Sequence, residues 1–400
     1  MKKSTILISL LVLAIIFLSQ RKMINNLSNK IFKTEEKTEN DMKTIINCEP
    51  LPDLPIQGGV SAPFTGVYED KLIVAGGSNF PDKPASEGGV KAFYNDVFVL
   101  DISDNATNKS WIKCEALPYE AAYGASVSTP KGLVCIGGQN KDGSLTNVTL
   151  IKYDVDSIIF TKLPQLPAGH FNGGASLIGS TIYATGGVSS NKTKGFIFTL
   201  DLDKLENGWT QITIPTDYER QQPVVVAQNG QLFVAGGYDE AEAKVFTNII
   251  RYNPEKKQWD NVSEIDAGNN TIKTFVGAAG VPYKADQILF MGGVNYDLFS
   301  SALKRIKKTK EAQENGDTAL ADSLKLVGKE YMSQEIGWYK FETELISLNL
   351  KTNSWETLGE FPQLARAGAG VAIQKNKIYI ICGELKPGSR TAEVNCITIK

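Results

Sequence analysis

A chain of 400 residues with 42 Lys and Arg against 44 Asp and Glu is long for one two-layer domain, and its balanced charge excludes an electrostatic footprint for nucleic acid or a polybasic membrane surface. It holds one histidine, His170, which excludes a catalytic His pair and any zinc site needing two or more His ligands. Glycine is the outlier at 36 residues, and its placement carries more information than its number.

From the N-terminus, Lys2 and Lys3 precede an apolar run from Ile6 to Leu18, and polar residues follow from Ser19. The run is short for a membrane span and fits a signal-peptide core. No A-x-A site or lipobox Cys follows it, so residues 1–20 read as a signal peptide or a short membrane anchor. Residues 21–42 read as a flexible polar linker. The expectation is an exported protein, periplasmic or extracellular, with no stable membrane insertion beyond that N-terminal segment. The five cysteines form no CxxC pair, and buried free thiols are the simplest reading of those in apolar runs.

Residues 43–400 carry a repeat. An apolar run ending in a glycine pair recurs as LIVAGG to Gly77, LVCIGG to Gly138, IYATGG to Gly187, LFVAGG to Gly237 and ILFMGG to Gly293, with a degenerate IYIICG to Gly383. The intervals are 61, 49, 50, 56 and 90 residues. Phe160, Trp209 and Trp259 each lie 22 residues beyond their pair, whereas Trp111 lies 34 and Trp355 lies 62 beyond theirs. The excess, 12 residues in the first copy and 40 in the fifth, marks insertions into a unit of about 50 residues. Each unit reads as four short strands. A period near 50 with paired Gly and a later Trp resembles the kelch repeat, which implies an all-β, six-bladed β-propeller. The strand from Lys43 to Cys48 completes the sixth blade, whose other strands lie at the C-terminus, and so closes the ring.

Both insertions fall between second and third strands and therefore decorate one face. The first is residues 78–96. The second, about 295–339 in the fifth blade, holds helix-like stretches near Ser300–Gln313 and Thr318–Tyr331. Leu303 and Ile306 stripe the first, and Leu320, Leu324, Val327 and Tyr331 the second. The insertion reads either as a covering hairpin without chemistry or as a lid over a small-ligand pocket. In the sixth repeat, CGELKPGSRTAEV places Glu384 directly after the last glycine, where the other copies have Ser78, Gln139, Val188, Tyr238 and Val294. Arg390 follows six residues later across a Pro-Gly turn, so a hairpin aims both side chains at the channel mouth. A carboxylate beside a guanidinium suits proton transfer with anion recognition, and a surface ion pair is the plain alternative.

The loop Gly383–Thr391, the segment GGSNFPD…GGVKAFYND with Lys91 and Tyr94, and GGVN at Gly292–Asn295 resemble the N-acetylneuraminate epimerase, or sialic acid mutarotase, family. Their order along the chain is similar to its cyclically permuted branch; a closed ring tolerates permutation. The resemblance implies a cofactor-free, metal-free isomerase that interconverts anomers of N-acetylneuraminate or a related acidic sugar by ring opening and closure. It implies Glu384 as the acid–base and Arg390 as the partner of the substrate carboxylate, with Lys91, Asn79, Arg220, Gln222, Asn172, His170 and Arg366 expected on the same face for binding. His170, in PAGHFNGG, reads equally as a packed residue at the start of an inner strand. The rival is a non-catalytic kelch module that binds a carbohydrate or protein partner through this face. A copper radical oxidase needs two His, and a sialidase needs S-x-D-x-G-x-x-W boxes that the sequence lacks.

Overall fold

The computed structural model describes residues 46–400, apart from 107–108, 156, 191–194, 215–219 and 266–271. The signal and linker segments, residues 1–42, lie outside the described residues. Six four-stranded antiparallel sheets follow one another from Phe64 to Ile399. The first blade is Phe64–Tyr68, Lys71–Ala75, Val97–Asp101 and Ile112–Lys113. The sixth is Gly370–Gln374, Lys377–Ile381 and Val394–Ile399, with Ile46–Leu51 as its outer strand. That strand pairs Ile46 with Ile399 and Leu51 with Val394, so the two ends of the propeller share one sheet. Its described part begins at Ile46, and Lys43 to Ile45 of the sequence reading lie outside the described residues.

Apolar side chains form wedges between successive blades, and one wedge joins the sixth blade to the first through Ile381, Tyr379 and Val394 against Val74, Leu72 and Leu100. Because both faces of every sheet are covered, the second strands read as continuous apolar runs such as Leu72-Ile73-Val74. Small residues on the inner strands let the blades converge: a Cβ on Gly174 would stand 2.7 Å from Val225 Cγ2 of the next blade. The later tryptophans bridge blades as well. Trp111 and Trp209 donate their indole N–H to Pro52 and Pro164, the carbonyls just past the outer strand of the preceding blade, both at 2.8 Å.

The glycine pairs have a specific task. In four of the five pairs, and at the single Gly383, the last glycine, in a left-handed conformation, donates its N–H to the loop that opens the next blade: Gly77 to Ala121, Gly138 to His170, Gly187 to Arg220, Gly293 to Arg366 and, across the closure, Gly383 to Val60. A side chain on Gly187 would land on the Phe171 carbonyl, so the close approach and the positive φ both demand glycine here.

Two residues beyond these acceptors, a second ring surrounds the channel. Ala62, Tyr123, Asn172, Gln222, Gly277 and Gly368, one from each blade, all have φ between 48 and 67°. Each donates its N–H to the carbonyl of the preceding member, at 2.7 to 3.2 Å, and Ala62 closes the circle onto Gly368. The left-handed conformation costs roughly 1–2 kcal/mol at each non-glycine member, offset by a backbone bond that would otherwise be unmade in a buried setting.

The insertion of the fifth blade forms helices α1, Tyr296–Glu314, and α2, Thr318–Ser333. Asn295 caps α1 by accepting from Leu298 N–H and Asp317 caps α2 by accepting from Leu320 N–H. Leu303 is buried as expected, but Leu320 and Val327 are each 47 % exposed, and α2 buries Ala321 instead. The predicted stripe therefore faces outward over part of its length, because α2 packs chiefly against α1, with a smaller contact to the turn at Ala85–Glu87. All five cysteines are free thiols. Among the described residues, no helix is long and apolar enough to cross a membrane.

Candidate active site at the channel mouth

The short hairpins that extend the second and third strands stand above the ring. Ser78, Gln139, Tyr238 and Glu384 occupy equivalent places, each bridged by backbone bonds to an inter-blade loop: Glu384 exchanges bonds of 2.7 and 2.9 Å with Ala367. The repeat thus places an acid where other blades place neutral residues. Glu384 and Arg390 face each other on the strands Glu384–Lys386 and Ser389–Arg390. Their side chains meet at 3.0 Å, and the Glu384 carboxylate also accepts the Gly388 N–H at 2.7 Å. The Pro387-Gly388 turn is what brings that donor back, with Gly388 at φ 83°.

The pair is asymmetric in exposure. The Arg390 side chain is 4 % exposed and Glu384 is 26 % exposed. Arg390 lies over the Phe80 ring at 4.8 Å, and neither its Nε nor its Nη1 makes a hydrogen bond, so its contact with Glu384 is an ion pair alone. The hairpin also forms a wall between two cavities. Glu384 opens toward one of about 590 Å³ under α1 and α2, while Arg390 borders another of about 640 Å³ beside Phe80 and Lys83. Glu384 further borders the channel opening, about 260 Å³, with Tyr123, Asn172 and Gln222.

The helices cover the mouth as a fixed roof. Lys310 of α1 pairs with Glu240 at 2.6 Å, and Tyr238 meets Phe299 edge-on at 5.1 Å, so α1 is tied to the fourth blade. Lys386 donates to the Gln334 carbonyl at 2.7 Å, tying the Glu384 hairpin to the end of α2. The Tyr339 hydroxyl donates to the Tyr331 carbonyl. Burial, with the charges of Tyr339 and Glu384 adding and Arg305 opposing, pushes Tyr331 up to about 12. Tyr331 therefore stays a neutral hydroxyl in this cavity near neutral pH.

The residues expected from the sequence separate into two groups. Glu384, Arg390, Gln222, Asn172 and Lys91 lie on or beside the mouth. Lys91 donates to the Tyr123 hydroxyl at 3.0 Å, and Ser78 donates to the same oxygen at 3.0 Å, which leaves the Tyr123 proton to serve another acceptor. Tyr123 was not anticipated, although it holds the same ring position as Asn172 and Gln222. Arg305, on α1, was not anticipated either.

His170, Arg220, Arg366 and Asn79 are buried at 1 %, 1 %, 3 % and 3 % exposure and do not line the channel opening or the cavity beneath the helices. The first three hold equivalent places, Arg220 and Arg366 four residues before their inner strands and His170 at the start of its own, and they satisfy carbonyls left open where the chain leaves the second strand. His170 Nε2 bonds Gly186 O at 2.6 Å. Arg220 donates to Gly236 O and Asn248 O at 3.1 and 2.8 Å, and Arg366 to Cys382 O and Glu393 O at 3.0 and 3.2 Å. Burial holds the His170 pKa down, so the ring is neutral with its proton on Nε2. Asn79 pins the first-blade loop by donating to Gln57 O and Gly59 O and accepting from Tyr94. It touches only the cavity behind the hairpin.

Fold and mouth together define a six-bladed kelch-type propeller with an acid–guanidinium hairpin beneath a helical roof. The N-acetylneuraminate epimerase family profile matches residues 27–160 and 163–400, and the chain belongs to that family. It is 32 % identical over 235 residues to the N-acetylneuraminate epimerase of Haemophilus influenzae (strain PittEE), covering 58 % of each chain. It is 31 % identical over 234 residues to that of Pasteurella multocida (strain Pm70), covering 58 % of this chain and 57 % of the relative. The matches thus span somewhat more than half the length of these curated relatives. The solved structure of YjhT superimposes with a TM-score of 0.60 at 14 % identity, covering 88 % of this chain and 99 % of that one, a likeness of fold.

Proposed function

We propose that the chain is a carbohydrate isomerase that interconverts the anomers of N-acetylneuraminate, or a closely related acidic sugar, without a cofactor. The observation that carries the reading is the half-buried Glu384 carboxylate at the mouth, fixed by Arg390 and Gly388 N–H. Anomer exchange requires a proton to leave the anomeric hydroxyl while the ring oxygen gains one. The ring bond then breaks, the carbonyl end rotates, and reclosure returns both protons. Glu384 is the group that takes and returns the proton. Arg390 is too enclosed for a large ligand to wrap around it, and acts by holding the carboxylate in place. Tyr123, with a proton to donate and its oxygen held by Lys91 and Ser78, borders the same opening and suits a sugar hydroxyl or the ring oxygen. The proposal places this chemistry outside the cytoplasm, on the basis of Lys2, Lys3 and the Ile6–Leu18 run.

The test is proton NMR of freshly dissolved N-acetylneuraminate with and without the purified chain. Faster equilibration of the anomers supports the reading. Equilibration at the buffer rate overturns it, and binding without acceleration would assign the mouth to carbohydrate capture instead.

A further inference from the structure

The cavity beneath the helices is charge-balanced except at one point. Five charged side chains border it: Glu240, Arg305, Lys310, Lys325 and Glu384. Lys310 is paired with Glu240 at 2.6 Å, Lys325 with Asp322 at 3.0 Å, and Glu384 with Arg390 at 3.0 Å. The Arg305 guanidinium has no ion-pair or hydrogen-bond partner among the described residues, the residue's one side-chain contact of that kind being Thr309 donating to its backbone carbonyl. Its guanidinium lies over the Tyr331 ring at 4.8 Å, an arrangement that holds the fork flat and pre-oriented while leaving its donors unused. Gly328 faces it across the helix pair, where a Cβ would stand 3.6 Å from Arg305 Nε, so the groove leaves the guanidinium room. Around it the walls are apolar: Phe299, Leu303, Leu324 and Phe341.

From this geometry we propose that Arg305 receives the carboxylate of the sugar, so that the enzyme selects ketose acids over neutral sugars. The inference rests on the isomerase reading above and assigns the recognition that Arg390, locked against Glu384 and Phe80, is placed poorly to supply. A planar fork over a tyrosine face, at the edge of an otherwise apolar cavity, matches a carboxylate attached to a ring with an apolar side. Arg305 holds the C1 carboxylate and the neighbouring anomeric carbon faces Glu384, which borders the same cavity.

The test compares wild type, Arg305→Met and Arg305→Lys on N-acetylneuraminate and on its methyl ester, in which the charge is masked. Loss of a charge-assisted contact predicts a KM for the acid raised about 10- to 100-fold in Arg305→Met. Arg305→Lys should recover part of that loss, and the KM for the ester should be the same in all three proteins. An unchanged KM for the acid, or an equal rise for acid and ester, overturns the proposal. If the wild type does not accelerate anomer exchange at all, the isomerase reading fails on its own. Saturation-transfer NMR of acid and ester binding then decides the matter for Arg305: acid binding weakened in Arg305→Met supports it, and unchanged or absent acid binding overturns it.

Discussion

Replacing Glu384 separates the structural and chemical roles of the hairpin. Glu384→Gln keeps the side-chain shape and an oxygen to accept the Gly388 N–H, but leaves a guanidinium that is 4 % exposed without its counter-ion. Breaking a buried pair in this way costs about 3–5 kcal/mol, and because a quarter of Glu384 is exposed the expected loss is about 2–3 kcal/mol. The double substitution Glu384→Gln with Arg390→Met removes the stranded charge and should return most of that stability. Catalysis should behave differently: removal of a positioned acid–base lowers the rate about 10²- to 10⁴-fold, and the double variant should stay equally slow. Urea unfolding followed by tryptophan fluorescence gives the first quantity, and NMR anomer exchange the second. A single variant as stable as wild type would show that the ion pair does not hold the hairpin, and a double variant that regains the rate would remove Glu384 from the chemistry.

Two further outcomes follow from the frame. Burial lowers the His170 pKa in the folded protein, so between that value and about 6.5 only the unfolded chain binds the proton. Stability is therefore full above pH 6.5 and falls on acidification by about 1.4 kcal/mol per unit until the folded pKa is reached. His170→Asn should lose that part of the slope just below pH 6.5, and equal slopes in calorimetry would disprove it. Gly187→Ala forces a Cβ onto the Phe171 carbonyl at φ 73° and should cost about 3 kcal/mol or more, whereas Gly337→Ala, which meets nothing within 4 Å, should stay within about 0.5 kcal/mol. Comparable midpoints for the two would contradict the latch between blades.

The blades were legible because their chemistry repeats. A glycine pair that must approach the next blade and a tryptophan that must reach back to the previous one recur at fixed distances, and insertions show as excess length. Glu384 was legible as a break in that repetition. The seam residues were not, because sequence places Arg220, Arg366 and His170 near the start of an inner strand without saying which way they turn. The demand that decides it, open carbonyls at Gly186, Gly236 and Cys382, exists only once the sheets are assembled. Tyr123 could have been found from its alignment with Asn172 and Gln222. Arg305 could not: in the run LKRIKKTK it looks like any cation on a solvated helix, and only the pairing of its neighbours sets it apart.

The hydrogen-bonded circle around the channel has a further consequence, since its links are made by backbone alone and the side chains take no part in them. Tyr123, Asn172 and Gln222 fill the arc of the second to fourth blades, and Gly277, Gly368 and Ala62 leave the arc of the fifth, sixth and first blades bare. The bare arc belongs to the blades that send out the helices, the Glu384 hairpin and the Lys91 loop. The opening is thus built from two independent halves, one tuned by swapping single residues on a fixed rim and the other by remodelling overhangs in the space that small residues vacate. Selectivity for a new ligand could be engineered on either half without disturbing the register that keeps the six blades closed.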